Sequence, residues 1–311
     1  MESFLLSLNI VLPLFCLILL GLFLQKVGLM PSAFVKQLNT VLFHVFYPVI
    51  IFYNIYDAPG ISVFDPWVIL FFLGYIFFTF FFLCFTIPRI EPEPRYRGVM
   101  VQGIFRSNFV LFGLPITASV YGEEIGMTAV IIAVIVPVYN ILSVVILEVF
   151  RGNKPSAKKI CTGILTNPLM IGSLIGLFFL ITGLKLPYFA EKTVKDLAGV
   201  TTPLALVALG ASFDFQSATN NRKKLAFCVL GRLVIAPLVF IPLAVLAGLR
   251  GIELLAFVSL LSAPTSVSTY NMAQQMDGDS DLAGQIVVFT SILSAFSIFI
   301  GVFVVSHFGL L

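Results

Sequence analysis

Charged side chains are scarce in this chain, and histidine and cysteine are scarcer still. Of 311 residues, 11% are charged and 59% are hydrophobic, whereas soluble domains average about 25% and about 45–50%. The two histidines and four cysteines form no CxxC or Cys/His spacing, so we expect buried, reduced thiols and no metal site. A net charge of +3 is too small to indicate nucleic acid as a partner.

The sequence also lacks the residue sets that enzymes need. It has no metal-ligand cluster, no Ser/His/Asp set at a usable depth and no phosphate-cradling loop. These absences argue against a membrane enzyme, and no cofactor is expected beyond a coupling proton or sodium ion.

Long apolar segments are abundant instead, and they predict an all-α polytopic membrane protein. About 20 apolar residues cross a hydrocarbon core of about 30 Å. Ten windows have that length, at roughly 4–24, 35–55, 67–87, 98–120, 127–149, 161–183, 193–212, 225–248, 254–275 and 283–307. We refer to them as segments 1 to 10. The first has Glu2 and no basic residue before it, so it is not a cleavable signal.

Lysine and arginine are unevenly divided between the loops. The loops after segments 1, 3, 5 and 7 carry twelve of them and the opposite face carries four, with Arg106 and Arg232 inside segments. The positive-inside rule therefore predicts that both termini lie outside and that the basic loop after segment 5 is cytoplasmic.

The chain repeats itself at an offset of 155 residues. Four pairs share this offset: Pro13 with Pro168, Gly21 with Gly176, Gly28 with Gly183, and Pro48 with Pro203. Because each half holds five segments, an odd number, the second half must enter the membrane from the opposite side. The prediction is two inverted five-helix repeats, residues 1–150 and 161–311, joined by a cytoplasmic linker at 151–160.

Two segments carry polar residues and proline at mid-depth. One is the run from Arg106 to Pro115 in segment 4, and the other is the run from Ser262 to Asn271 in segment 9. We expect a helix break near residue 263 and another between Asn108 and Pro115. Half-helices that begin there would point free N–H groups and a partial positive charge at the membrane centre, which suits an anion. The alternative is that each proline only kinks a continuous helix.

The side chains near these breaks form the predicted substrate site. The hydrogen-bonding side chains and prolines of the two runs are Gln102, Arg106, Ser107, Asn108, Pro115, Pro264, Thr265, Ser266, Ser268 and Asn271. Arg106 is the natural counter-charge for a carboxylate, although its depth would also let it snorkel to the interface. For Arg232 a snorkelling or structural role is expected.

Polar residues in other segments are secondary candidates. Tyr139 and Asn140 follow Pro137 and are added to the substrate site, while His44, Gln285 and Thr290 are candidates for coupling or gating. His44 could respond to pH near neutrality, or could be a packing residue. Asn39, Asn54, Thr201 and Thr202 could line a cavity or cap backbone kinks at Pro48 and Pro203.

The two runs resemble motifs of the auxin efflux carrier family, which includes bacterial malate and malonate permeases. Residues 106–115 with Tyr121-Gly122-Glu123 are similar to its fourth span, and residues 262–273, 277–281 and 290–294 are similar to its ninth and tenth spans. The resemblance implies a scaffold domain, often dimeric, and a transport domain whose fourth and ninth helices cross at unwound centres. It implies organic anions as substrates and an elevator-like movement.

The sequence departs from the auxin-transporting members at both crossings. Those members place an Asn-Pro pair at each one, whereas this chain has Asn108-Phe109 and Ala263-Pro264. The departure argues against auxin itself and leaves the substrate open.

Taken together, the residues and the resemblance predict a secondary carrier of a small mono- or dicarboxylate. We expect it in a bacterial cytoplasmic membrane, as a homodimer through its scaffold helices. The alternatives are a sodium- or proton-coupled symporter or exchanger of related fold, and a membrane sensor that does not transport. An exchanger normally needs a buried carboxylate, and the segments contain only Glu148, near the end of segment 5.

Overall fold

The structure is a computed structural model, and it describes residues 2–57, 65–122, 126–151, 162, 165–213 and 221–311. The predicted linker at 151–160 therefore lies outside the described residues except for Arg151, as do Glu123 and Cys161. The described residues form twelve helices: α1 Glu2–Lys26, α2 Ser32–Tyr56, α3 Pro66–Ile90, α4 Pro94–Phe105, α5 Phe109–Tyr121, α6 Gly126–Phe150, α7 Pro168–Thr182, α8 Tyr188–Ser212, α9 Arg222–Leu246, α10 Gly251–Ser262, α11 Ser268–Gln275 and α12 Ser280–His307.

Each predicted apolar segment coincides with one helix, or with two for segments 4 and 9. Six helices, α2, α3, α6, α8, α9 and α12, are long and apolar enough to cross a membrane, while α1, α5, α7 and α10 contain shorter apolar stretches. An all-helical integral membrane protein is confirmed.

Prolines shape two of the long helices in the same way. A π-helical turn occupies Leu42–Phe46 in α2 and Gly231–Ile235 in α9, and each turn begins six residues before a proline, Pro48 or Pro237. A proline ring clashes with the carbonyl four residues earlier and removes one donor. Widening the preceding turn accommodates that loss without ending the helix.

Glycines bring two helix pairs into backbone contact. A Cβ atom built on Gly21 of α1 would lie 2.0 Å from the carbonyl oxygen of Val207 in α8. A Cβ on Gly176 of α7 would lie 3.1 Å from the carbonyl oxygen of Phe52 in α2. The pairs α1/α8 and α2/α7 therefore pack with no room for a side chain at these points.

The predicted break in segment 9 is present, and the one in segment 4 lies elsewhere. Helix α10 ends at Ser262 and α11 begins at Ser268, around Pro264. In segment 4 the interruption covers residues 106–108, and α5 continues through Pro115. The expectation of a break between Asn108 and Pro115 was wrong because a proline inside a helix removes only one donor, which α5 tolerates.

The structure decides between the alternatives left open for the two arginines within the segments. Arg106 and Arg232 do not snorkel, since their side chains are 4% and 0% exposed, and for Arg232 the structural alternative remains. One further expectation was wrong: Cys16 is not buried, since it lies on a face of α1 that also exposes Leu12 and Leu19. Cys228 is buried and Cys84 is partly buried, and both are free thiols.

Candidate functional site

The two interruptions lie against each other near the centre of the helix bundle. Ser107 and Thr265 form an isolated antiparallel bridge, and the N–H of Asn108 donates to the carbonyl of Pro264 at 2.8 Å. We call this contact between residues 106–108 and 263–267 the crossing. It positions four half-helices: α4 and α10 end there, and α5 and α11 begin there.

Hydroxyl groups satisfy part of the backbone that the crossing leaves unpaired. Thr265 Oγ1 donates to the carbonyl of Gly103 at 2.7 Å, and Ser107 Oγ donates to that of Leu260 at 2.7 Å. The N–H of Thr265 donates to Thr290 Oγ1 of α12 at 3.1 Å. Buried backbone groups need such partners, so these three side chains hold the crossing together.

A small cavity of about 80 Å³ lies beside the crossing. It is lined on one side by the beginnings of α5 and α11, and on the others by α2, α6 and α8. The polar residues in its lining are Tyr47, Asn54, Arg106, Ser107, Asn108, Tyr139, Asn140, Thr202, Ser266 and Ser268.

Among the described residues that line the cavity, Arg106 is the only charged one. Its guanidinium donates to Asn140 Oδ1 at 2.7 Å and to the sulfur of Met272 at 2.6 Å. It takes part in none of the ion pairs among the described residues. A buried positive charge held by neutral acceptors favours an anion beside it.

The half-helix beginnings add backbone donors to the same cavity. Asn108 is the N-cap of α5, and its side-chain amide has no hydrogen-bond partner within the described residues. At α11, Ser266 and Ser268 hydroxyls lie 3.0 Å apart and both line the cavity. Each helix N-terminus carries roughly half a positive charge, which also favours a bound anion.

The cavity joins a wider one of about 830 Å³. Both are lined by Ile50, Asn54, Val110, Leu111 and Thr202, and the wider one continues between α1, α2 and α8 to Lys195 and Asp196. We call this wider cavity the vestibule. It connects the crossing to the end of the bundle where α8 begins.

Seven of the predicted substrate residues line the cavity: Arg106, Ser107, Asn108, Tyr139, Asn140, Ser266 and Ser268. Pro264 and Thr265 are in the crossing itself, and Thr290, a candidate for coupling or gating, contacts it from α12. Asn271 is buried behind the cavity, where its amide donates to Tyr47 Oη at 3.3 Å.

The remaining candidates lie away from the cavity. Gln102 is buried and donates to the carbonyl of Ser143, Gln285 is buried in α12, and Pro115 is exposed. His44 is exposed, and its Nδ1 lies 2.9 Å from the carbonyl of Thr40 one turn earlier. The geometry gives none of these four a place at the cavity.

Sequence reasoning missed Tyr47 and Met272 and left Asn54 and Thr202 undecided. Tyr47 and Thr202 each precede a proline of the repeat and are separated by 155 residues, so the repeat offset was a signal for both. Met272 had no such signal, because an apolar side chain in an apolar segment looks like a packing residue.

Comparison with known proteins identifies the family of this chain. A family model described as "Membrane transport protein" matches residues 6–301. A protein named uncharacterized transporter from Methanothermobacter thermautotrophicus is 25% identical over 296 residues, 94% of this chain and 96% of that one. A second uncharacterized transporter, from Methanocaldococcus jannaschii, is 22% identical over 294 residues, 92% of this chain and 94% of that one. The chain therefore belongs to the membrane transport protein family that includes the auxin efflux carriers.

Proposed function

We propose that this protein is a secondary carrier of a small organic anion, a mono- or dicarboxylate of the malate or malonate kind. The observation that carries the proposal is Arg106, a guanidinium 4% exposed whose hydrogen-bond partners are all neutral and which lines a cavity beside the crossing. Taking a charge out of water costs several kcal/mol, roughly, unless it is paired. A bound carboxylate supplies that pairing in two parallel hydrogen bonds.

The rest of the cavity supports an anion over a cation. Two half-helix N-termini and Arg106 together contribute about two positive charges, at about one half per helix end. No aspartate or glutamate is found among the described residues that line the cavity. Asn108, Ser266 and Ser268 supply neutral donors that hold the remaining carboxylate oxygens.

The size of the cavity supports a short aliphatic substrate. Its volume of about 80 Å³ is small, since a cavity of about 150 Å³ holds benzene. A two- to four-carbon carboxylate suits this space better than the bicyclic ring of an auxin, and the vestibule gives it a route to one face of the membrane.

The packing of the glycine-containing helices supports an inverted repeat. Gly21 approaches the carbonyl of Val207, and Gly176 approaches that of Phe52. The two contacts correspond under the repeat offset. Gly176 is 155 residues after Gly21, and Val207 is 155 residues after Phe52. In the proposed architecture these helices, α1, α2, α7 and α8, form the scaffold and the dimer interface, and the crossing moves against them as an elevator.

The proposal also includes the orientation of the protein in the membrane and the membrane in which it lies. The excess of lysine and arginine on one face supports an orientation with both termini outside, in a bacterial cytoplasmic membrane. In that orientation the vestibule opens to the outside.

The alternatives have less support from the geometry. A proton-coupled exchanger needs a buried carboxylate near the site, and the one buried carboxylate among the described residues, Glu91, is paired with Lys224 at 3.4 Å, where α3 ends. A sensor would bind the same anion without moving it, and the experiment below distinguishes the two.

The test is counterflow in proteoliposomes loaded with unlabelled malate, malonate, lactate, succinate or indole-3-acetate. We expect labelled uptake with one of the short carboxylates, reduced about 30-fold or more in Arg106→Met because truncating one partner of a buried charged contact costs about 2 kcal/mol or more. Arg89→Met is the matched control, since Arg89 is an exposed arginine near the end of α3.

Two outcomes would contradict the proposal. Equal loss in the Arg106 and Arg89 variants would show that Arg106 has no special role. Thermal stabilisation by a carboxylate without any exchange would identify a sensor.

A further inference from the structure

Arg232 is the second buried arginine of the bundle, and it lies on the other side of the crossing from the cavity. It belongs to the π turn of α9 and is completely buried. Its Nε donates to the carbonyl of Ala263 at 3.1 Å, its Nη1 to that of Ile104 at 3.3 Å and its Nη2 to that of Leu260 at 2.6 Å.

The three carbonyls lie where α4 and α10 end, and they lack a helical N–H partner. The carbonyl of Leu260 would normally accept from residue 264, which is a proline without an N–H. The carbonyl of Ile104 would accept from Asn108, whose N–H donates to Pro264 instead. Ala263 follows the last residue of α10. One guanidinium thus serves the ends of both α4 and α10.

The local backbone is built to bring Arg232 there. The π turn inserts an extra residue per turn, which rotates the side chain relative to a regular α9. Gly231 lies against α4, where an added Cβ would sit 3.3 Å from Ile104 Cδ1. A larger residue at 231 would push α9 away from the carbonyls.

The charge of Arg232 matches the charge of the two helix ends. Each C-terminus carries roughly half a negative charge, so α4 and α10 together present about one. Arg232 is in none of the ion pairs among the described residues. The partial negative charges of the two helix ends therefore balance the positive charge of Arg232.

Carbonyls at half-helix C-termini are the groups that coordinate sodium in carriers with broken helices. We propose that Arg232 is a built-in cation of the crossing, which takes the position of a coupling sodium ion between α4 and α10 and makes anion exchange independent of sodium. This inference rests on the proposed function for its transport consequence. In this role Arg232 is a positioning residue: it fixes the half-helix ends whose partners, α5 and α11, line the cavity.

The first test measures the melting temperature of purified protein in detergent. Arg232→Ala removes the guanidinium, and we expect the melting temperature to fall by about 5 °C or more, because the buried carbonyls of Ala263 and Ile104 lose this donor and that of Leu260 keeps only Ser107 Oγ. Millimolar guanidinium should recover most of that loss, whereas urea, which has a similar planar shape but no charge, should not. The matched control is Arg250→Ala, since Arg250 donates to the carbonyls of Val245 and Leu249 at an exposed position.

The second test measures exchange of the carboxylate in proteoliposomes. Wild-type exchange should be the same in sodium and in N-methylglucamine. The exchange rate of Arg232→Ala should be lower by about tenfold or more, equivalent to about 1.4 kcal/mol. Added guanidinium should restore that rate. If Arg232→Ala does not fold, Arg232→Lys and Arg232→Met test the inference in its place. The lysine variant should stay closer to wild type than the methionine variant in both melting temperature and exchange rate.

The outcomes separate this inference from the proposed function. Sodium dependence of wild-type exchange would overturn the inference and leave the carrier standing. Equal recovery by urea and guanidinium, or equal losses in the lysine and methionine variants, would also overturn it. Absence of exchange together with recovery of the melting temperature by guanidinium would overturn the carrier and support the role of Arg232 at the crossing.

Discussion

The backbone N–H of Asn108 donates to the carbonyl of Pro264 at 2.8 Å, and this hydrogen bond joins the two interrupted segments. It occupies the N–H that would donate to the carbonyl of Ile104 if α4 continued. The side chain of Asn108 is thereby left at the start of α5, half-buried, in the lining of the cavity. The backbone of Asn108 thus belongs to the crossing, and its side chain belongs to the candidate site.

Asn108→Ala should therefore impair exchange without unfolding the protein. The backbone bond to Pro264 remains, while the amide that faces the cavity is lost. We expect exchange to fall by about tenfold, the effect of about 1.4 kcal/mol, with the melting temperature within about 2 °C of wild type. Gln37→Ala removes an exposed amide from α2 and should change neither measurement. A large loss of melting temperature in Asn108→Ala would contradict this division of roles.

Gly21→Ala should destabilise the protein, and Gly74→Ala should not. At Gly21 a Cβ would lie 2.0 Å from the carbonyl oxygen of Val207, so α1 and α8 would have to separate. Overpacking of this kind costs about 1–3 kcal/mol. At Gly74, within α3, a Cβ meets nothing within 4 Å, and alanine is the better helix former by about 0.5–1 kcal/mol. Chemical or thermal denaturation in detergent measures the difference, and equal effects at both positions would refute the close contact.

Thr265→Val should weaken the crossing, whereas Thr265→Ser should preserve it. The hydroxyl donates to the buried carbonyl of Gly103, and leaving such a group unpaired costs about 1–3 kcal/mol. Thr86→Val is the matched control, because Thr86 Oγ1 donates to the carbonyl of Phe82 on an exposed face of α3. The melting temperatures of the three variants test the prediction, which requires valine at 265 to be the least stable.

Lys195→Gln should slow anion uptake at low ionic strength. Lys195 is exposed in the wall of the vestibule, where its charge attracts anions toward the cavity. The effect should disappear in concentrated salt, since the screening length falls to about 3 Å at 1 M. Lys192→Gln is the control, because Lys192 is paired with Asp196 at 2.8 Å and does not line the vestibule. Salt-independent slowing would point to a direct contact with the substrate instead.

Much of the architecture could be predicted from the sequence because the membrane imposes simple rules. Apolar length predicted where the helices lie, and Pro264 predicted the break between α10 and α11. The polar run beginning at Arg106 drew attention to the residues that line the cavity. The cavity lining also includes Tyr47, which only the repeat offset could have suggested.

The two arginines show where prediction from sequence ends. Arg106 and Arg232 have similar depth in their segments, and the sequence could not distinguish a snorkelling side chain from a buried one. Their burial depends on which helices lie beside them. Arg106 meets Asn140 and Met272, and Arg232 meets three carbonyls at the ends of α4 and α10.

By itself the sequence determined the membrane class, the helical segments and the polar positions within them, because hydrophobic length and proline act locally along the chain. Only the tertiary structure decided that segment 4 breaks at residues 106–108, where it has no proline. That break depends on Asn108 donating to Pro264 and on Ser107 pairing with Thr265. These contacts join residues more than 150 positions apart, and no local pattern encodes which backbone groups will meet.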